Sequence, residues 1–356
     1  MKKLVSLTLA LMLALSLFAI PAMAEDTIVL GTLSYLNMTE SEFNSDFMSP
    51  EAAQFSVAAQ AWLYQNGYYL DTTGLLDSDS PVEYKTVFYD SLDAMLMALN
   101  AGEIQVIYDL PQTTAQYLCA QNDQLMSLYL LDRDKIEADG GFAMDLFKNG
   151  GAGYSFMMAN DREDLCAAFN STIADMKADG TLEQLIQKHI FAAIAGEEIE
   201  PIELEFVEGR ETIKVAVTGS LPPMDYVAAD GTFAGFNTAM LAEIGKRLDK
   251  NIEIVQVDSL GRAAALASGT VDAVFWTRSN PFGTSASDSL QNMTQEDFIT
   301  SLVEGNPDLT EEQKAIMQLL GELVGSDIYF QEDIPENTVI TEPYFVDVFV
   351  SVSLKQ

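Results

Sequence analysis

The chain alternates short apolar runs with amphipathic stretches, and it does so twice in the same order. Thr27-Ile28-Val29-Leu30-Gly31 and Thr212-Ile213-Lys214-Val215-Ala216 each open as a strand. Thr86 to Ser91 and Ile254 to Ser259 each read as a second strand closing on Asp-Ser. Leu92, Met95, Leu96 and Leu99 then fall on one face of a helix. The helix of each half stops at glycine, Gly102 and Gly269, where the missing Cβ tolerates the left-handed backbone that closes a helix. A third strand follows, Ile104 to Tyr108 and Val271 to Trp276. Continuous apolar strands separated by helices predict parallel sheets covered on both faces. This weak repeat predicts two α/β lobes. Ligands of open α/β sheets sit at the carboxyl ends of the strands, so two lobes facing across those ends form a cleft.

The first residues bear on the compartment. Lys2 and Lys3 precede an apolar run from Leu4 to Ile20, Pro21 breaks it, and Ala22-Met23-Ala24 is a small-x-small cleavage site. The run is short for a membrane span and no positive stop-transfer residues follow. A signal peptide over residues 1–24, cleaved after Ala24, is expected. It implies a secreted, extracytoplasmic protein (periplasm or cell exterior) with no membrane insertion after cleavage.

Composition narrows the chemistry. The 356 residues suit about two domains. Acidic residues number 54 against 18 basic, a net charge of −36, and such a surface repels nucleic acid and anionic lipid. Cys119 and Cys166 lie where a disulfide is chemically allowed, yet each sits in an apolar helical stretch. A bridge and two buried thiols both remain open. With one histidine, His189, neither a His-based metal site nor a zinc cluster is available. A Ser-His-Asp triad would need His189, and no nucleophile motif surrounds it. We read it as a partly exposed residue of an amphipathic helix, and expect no catalytic residue, metal or cofactor.

The second half carries recognisable residues. Leu221-Pro222-Pro223-Met224-Asp225-Tyr226, Asp230-Gly231 and Gly235-Phe236-Asn237 precede a helix with Met240, Leu241, Ile244 and Leu248 on its apolar face. Gly269-Thr270-Val271-Asp272-Ala273 and Glu342-Pro343-Tyr344 follow, the last leading into an alternating strand from Val346 to Leu354. Together these resemble the family 3 solute-binding proteins of ABC transporters. In the first half, Tyr89 to Ile104 is similar to that family's second-lobe helix and strand. Gly153 to Met158 and Asn170 to Leu182 are similar to the family's C-terminal ending, which packs back on its first lobe.

The resemblance implies a type 2 periplasmic-binding-protein fold: two Rossmann-like α/β lobes around a central ligand cleft. The segments run in the wrong order for the family, and we read them as circularly permuted; two tandem truncated copies are the alternative. Residues 25–158 would be the family's second lobe. Residues 159–210 would supply closing helices and a linker packing on the other lobe. Residues 211–356 would be the family's first lobe, with 281–342 as an insertion serving as lid, partner surface or decoration.

The same resemblance implies a site. Relatives clamp a carboxylate with a guanidinium, assisted by a strand-end hydroxyl, and hold the ammonium on a carboxylate of the other lobe. Thr284 stands where the family has its arginine, so Arg278, at the end of the run Trp276-Thr277-Arg278-Ser279, is the substitute. Ser279 falls near the hydroxyl position. Trp276 and Tyr226 are candidates for an aromatic wall, with core packing as the other use of such rings. Met224 replaces a phenylalanine. Asp109 stands after the third strand where the ammonium holder belongs. Asn37 and Thr39, at a helix start, would offer amide donors to an anion or simply cap the helix. The expected partners are a small polar solute, amino-acid-like, and an ABC permease, with a monomeric protein. A sensory binding protein and a dehydratase-like enzyme are the competing readings.

Overall fold

The pattern of each half becomes a β-α-β unit. The computed structural model describes residues 27–35, 39–41, 50–70, 83–284, 294–304, 306–323 and 335–355; the expected signal peptide and Asn37 lie outside them. The early elements are β1 (Thr27–Leu33), α1 (Pro50–Gln65), β2 (Glu83–Tyr89), α2 (Leu92–Ala101) and β3 (Val106–Pro111). They continue with α3 (Gln112–Gln121), β4 (Leu125–Leu128), α4 (Arg133–Asp139), α5 (Gly141–Asn149) and β5 (Gly151–Ala159). Ser91 caps α2 by accepting from Ala94 N, and Gly102 closes it at φ 73°, where a side chain would be strained.

Two helices, α6 (Glu163–Ala178) and α7 (Thr181–Ile186), lead through a π-helical turn at Gln187–Phe191 towards the late half. That half holds β6 (Thr212–Val217), a small hairpin sheet of β7 (Ser220–Leu221), β8 (Asp225–Val227) and β9 (Phe233–Ala234), then α8 (Phe236–Leu248) and β10 (Asn251–Gln256). It ends with α9 (Gly261–Ala267), β11 (Ala273–Ser279), α10 (Gln295–Val303), α11 (Glu311–Leu323), β12 (Thr338–Ile340) and β13 (Phe345–Leu354).

The strands lie in the order β10-β6-β11-β5-β13-β3-β1-β2, with β12 on β5 and β4 on β13. The path has an internal symmetry. β2, β1 and β3 are parallel and flanked by antiparallel β13. β10, β6 and β11 are parallel and flanked by antiparallel β5. These are two α/β lobes, early and late, each finished by a strand that also runs against the other lobe's finishing strand. β13 pairs with β5 at Phe345–Val348, then with β3 and β4 from Phe349 to Leu354. Only glycine fits this crossing: a Cβ on Gly151 would lie 2.5 Å from Asp347 O.

Beyond the sheet, α6 and α7 pack on α8 of the late lobe, and Arg247 of α8 donates to Thr181 Oγ1 at 2.9 Å and pairs with Asp179 at 2.8 Å. The hairpin α10–α11, within the 281–342 segment, packs on α1. Ile316, Met317 and Leu320 of α11 are buried with Phe55, Ala59, Trp62 and Leu63 of α1, in the early lobe. Both cysteines are free, and Cys166 donates to Ile340 O at 3.3 Å. Among the described residues no helix is long and apolar enough to cross a membrane.

His189 departs from the sequence expectation. It is buried at 4% exposure: seven residues beyond Leu182 and three beyond Ile186, it falls on the same buried helical face. Burial, helped by Lys188, lowers its pKa from 6.5 to about 4. The folded state then binds fewer protons than the unfolded chain between those values. Stability from this group is present above pH 6.5 and is lost as pH falls towards 4. His189→Gln is expected to flatten that fall by at most about 3 kcal/mol in urea titrations at pH 7 and pH 4.5. An unchanged difference between the two pH values would contradict it.

Candidate functional site

The strand ends of the two lobes meet, and there a cation of one lobe bonds an anion of the other. Arg278 on β11 donates through Nη2 to Asp109 Oδ2 on β3 at 2.7 Å. Its Nη1 donates to Tyr35 Oη at 3.1 Å, and Tyr35 donates in turn to the same Asp109 oxygen. The guanidinium lies over Phe349 of β13, 4.3 Å from the ring centroid, and over Tyr35 at 4.9 Å. A second bond crosses beside it, from Ser259 Oγ to Ser34 O at 3.3 Å.

The backbone around this contact is unusual at matching places. Asp109 has φ 60° and Trp276 φ 64°, left-handed values that cost non-glycine residues about 1–3 kcal/mol each. They are equivalent residues of the repeat, standing equally far beyond Gly102 and Gly269. The ladders beside them slip in both lobes, between Val274 and Thr277 on β11 and between Val350 and Val352 on β13. Each third strand thus kinks where it reaches the cleft, turning Asp109 and Trp276 towards it.

A cavity of about 60 Å³ remains between the lobes. Its walls include Ser34, Tyr35 and Asp90 from the early lobe, and Asp225, Arg262, Trp276 and Arg278 from the late lobe. Tyr154 of β5 also lines it and stacks on Trp276, ring centroids 3.6 Å apart and planes 12° off parallel. Arg262 is buried, donating through Nε and Nη2 to Ser259 and through Nη1 to Trp276 O at 3.0 Å. Asp225 is buried too, its carboxylate accepting from the amides of Thr218 and Gly219. Desolvation raises the Asp225 pKa, and those bonds with nearby Arg262 oppose the rise. A pocket for a small organic ligand usually measures about 300–1,000 Å³. The lobes are therefore drawn together, with Arg278 bonded to one oxygen of Asp109.

The expected site residues separate into two sets. Arg278 and Trp276 line the cavity, and Asp109 bonds two of its lining residues. Asp109 lies within β3 rather than after it. Ser279 points away, accepting from Ser155 Oγ at 2.8 Å, and Thr277 and Met224 are buried outside the cavity. Tyr226 lies in the β7–β9 hairpin sheet and Thr39 is exposed; neither lines it. Tyr154, Tyr35 and Arg262 line it without having been singled out. Arg262 carried the same signal as Arg278, a rare cation next to a strand's carboxyl end. Among the described residues no cluster of His, Cys, Asp and Glu is arranged to hold a metal ion.

Residues 213–280 match the family described as bacterial extracellular solute-binding proteins, family 3. The resemblance to that family holds over this span. It includes Arg262, Trp276 and Arg278 and stops where the long segment begins. A search of curated proteins finds no match. Among solved structures, the chain is similar to the ligand-binding component of an ABC-type import system from Staphylococcus aureus with zinc bound. Identity is 11%, with 93% of this chain and 66% of that one covered, at a TM-score of 0.34. A putative L-cystine ABC transporter from Listeria monocytogenes follows at 9% identity, covering 93% and 84%, with a TM-score of 0.31. The alkanesulfonate-binding protein SsuA from Xanthomonas axonopodis pv. citri, bound to MOPS, is 11% identical over 72% and 56%, with a TM-score of 0.29. The chain thus spans two thirds or less of the first and third of these structures, and scores this low carry no argument about function.

Removing one partner of the cross-cleft pair strands the other. Arg278→Met is expected to cost about 3 kcal/mol or more, since Asp109 is left as a buried charge. Adding Asp109→Leu should recover most of that loss. Urea unfolding of the three variants measures it, and a double variant no more stable than Arg278→Met would show the two residues to be uncoupled.

Proposed function

We propose that the chain is an extracytoplasmic solute-binding protein that captures a small polar, amino-acid-like solute and presents it to the permease of an ABC importer. The observation that carries this reading is the Arg278–Asp109 pair, a cation and an anion facing each other from opposite lobes across a cleft. A zwitterion placed between them would meet Arg278 with its carboxylate and Asp109 with its ammonium. It would replace one ion pair by two and draw in both lobes. The family match over residues 213–280 supports the transport setting. The same contacts would serve a sensory protein, and a binding step alone needs no acid or base.

We also read the chain as a circular permutant of that family, acting as a monomer. Supporting this, α6 and α7 precede the late lobe in sequence yet pack on its α8, and β13 leaves the late lobe to finish the early one. β13 ends beside the start of β3, and β1 begins at that same edge two strands over, about 10 Å away. Joining those ends would therefore need only a short link.

Two measurements test these readings. Thermal melts against the standard L-amino acids and other small polar metabolites should show at least one that raises the midpoint, with no rise for Arg278→Ala. Stabilisation that survives Arg278→Ala would remove the pair from the site. A chain rearranged to run from residue 211 to 356 and on through a short linker into 27–210 should fold with the native circular dichroism and melt. Failure of that chain to fold cooperatively would defeat the permuted reading.

A further inference from the structure

Two buried polar atoms beside the cavity have no hydrogen-bond partner among the described residues. Tyr154 Oη finds no hydrogen-bond partner among the described residues, although Tyr154 is 1% exposed. Asp109 Oδ1 likewise finds none; Arg278 and Tyr35 occupy the other carboxylate oxygen. A buried polar group left unpaired costs about 1–3 kcal/mol, so such groups are rare and call for a partner.

Their placement says what that partner is. Tyr154 sits on β5 directly opposite Arg278 on β11, so the two side chains stand on one face of the sheet as neighbours. Its ring is held flat against Trp276, and its residue also faces Phe345 on β13. The phenol is therefore fixed at the crossing of the two lobes with one donor to give, next to a guanidinium with donors of its own. Across from them stands a carboxylate oxygen able to accept.

We infer that Tyr154 is a ligand-binding residue, its hydroxyl donating to the same anionic oxygens that Arg278 holds while Asp109 Oδ1 accepts from an adjacent N–H of the solute. This rests on the solute-binding reading and deepens it. The solute carries a carboxylate next to an amine, and the side chain beyond them lies against the Tyr154–Trp276 stack. Because Tyr154 belongs to a finishing strand rather than to either three-stranded parallel set, the contact places the ligand on the hinge itself.

Tyr154→Phe removes the hydroxyl and keeps the ring stack, so it separates a ligand contact from a structural one. The free variant should melt no lower than the wild type, because an unpaired buried hydroxyl is lost. The amino acid that stabilises the wild type should bind Tyr154→Phe about ten-fold more weakly by calorimetry. A lower melt of the free variant would mean that the hydroxyl serves the fold, and would overturn the assignment. Equal affinity in the two proteins would overturn it while leaving the solute-binding reading in place. If no amino acid stabilises the wild type, the amino-acid reading itself falls and the assignment with it. Should Tyr154→Phe not fold, a structure of the wild type soaked with the stabilising amino acid decides. Its carboxylate within hydrogen-bond distance of Tyr154 Oη supports the assignment, and a carboxylate elsewhere overturns it.

Discussion

The antiparallel pairing of β5 with β13 is the constraint on which the rest of the molecule depends. Four residue pairs join them, Phe345 with Tyr154 through Val348 with Gly151. At this point one continuous sheet passes from one lobe to the other. The strands approach closely because β5 carries glycine where β13 presses on it. A Cβ on Gly153 would lie 2.8 Å from Pro343 Cβ and 2.9 Å from Ser279 Oγ. Asp347, buried at the crossing, is held by the amide and hydroxyl of Thr113 at 3.0 and 2.7 Å. Burial raises its pKa, with Arg133 and the Thr113 bonds opposing, so the carboxylate remains tied to α3 of the early lobe. Each strand of this junction brings a ring to the cleft: Tyr154 of β5 lines the cavity, and Phe349 of β13 lies under Arg278.

From that junction the electrostatics of the cleft follow. In a chain with three acidic residues for each basic one, two guanidiniums lining one small cavity stand out. A desolvated arginine is tolerable only with a counter-charge or ordered dipoles near it. Arg278 finds Asp109, and Arg262 finds a carbonyl, a hydroxyl and the nearby Asp225. The lobes are held closed by groups that each have a use for a different partner. Under the function proposed above, a zwitterion would substitute for both halves of this pair without leaving either charge unpaired.

Much of this was legible from residues. The repeat announced two β-α-β units, and both glycine stops close their helices in the left-handed conformation. Arg278 was singled out as a rare cation at a strand end and Asp109 by the family resemblance, and the structure pairs the two. What sequence could not supply was the local rotation that decides which neighbours face the cleft. The kink at Trp276 turns Arg278 inward and leaves Thr277 and Ser279 behind it, and a period of two gives no hint of a slipped ladder. Tyr154 was hidden for another reason. In Gly153-Tyr154-Ser155-Phe156 every residue reads as core, and all four are buried. The hydroxyl's lack of a partner is a property of packing, not of pattern. His189 was misplaced because its polar ring suggested exposure, although its spacing from Leu182 and Ile186 puts it on the buried face.

The long segment after Asn280 links the late lobe's strands to the early lobe's core. It leaves the late lobe at the end of β11 and returns to it through β12 on β5, yet α11 is packed into the early lobe against α1. Gly321 of α11 lets α10 come close, since a Cβ there would lie 2.2 Å from an Ile299 side-chain carbon. At the base of the segment Thr284 bonds Glu342, and Lys148 of α5 lies 5.9 Å from the ring centroid of Phe282. The lobes are thus connected by β5, by β13 and by a hairpin docked across the boundary. Burying Ile316, Met317 and Leu320 amounts to about 5–9 kcal/mol of apolar transfer at usual values. The conformational entropy of ordering the hairpin offsets much of that gain. The hairpin is thus held by the early lobe's core, although β11 and β12, the strands at either end of the segment, pair with β5 on the late lobe's side.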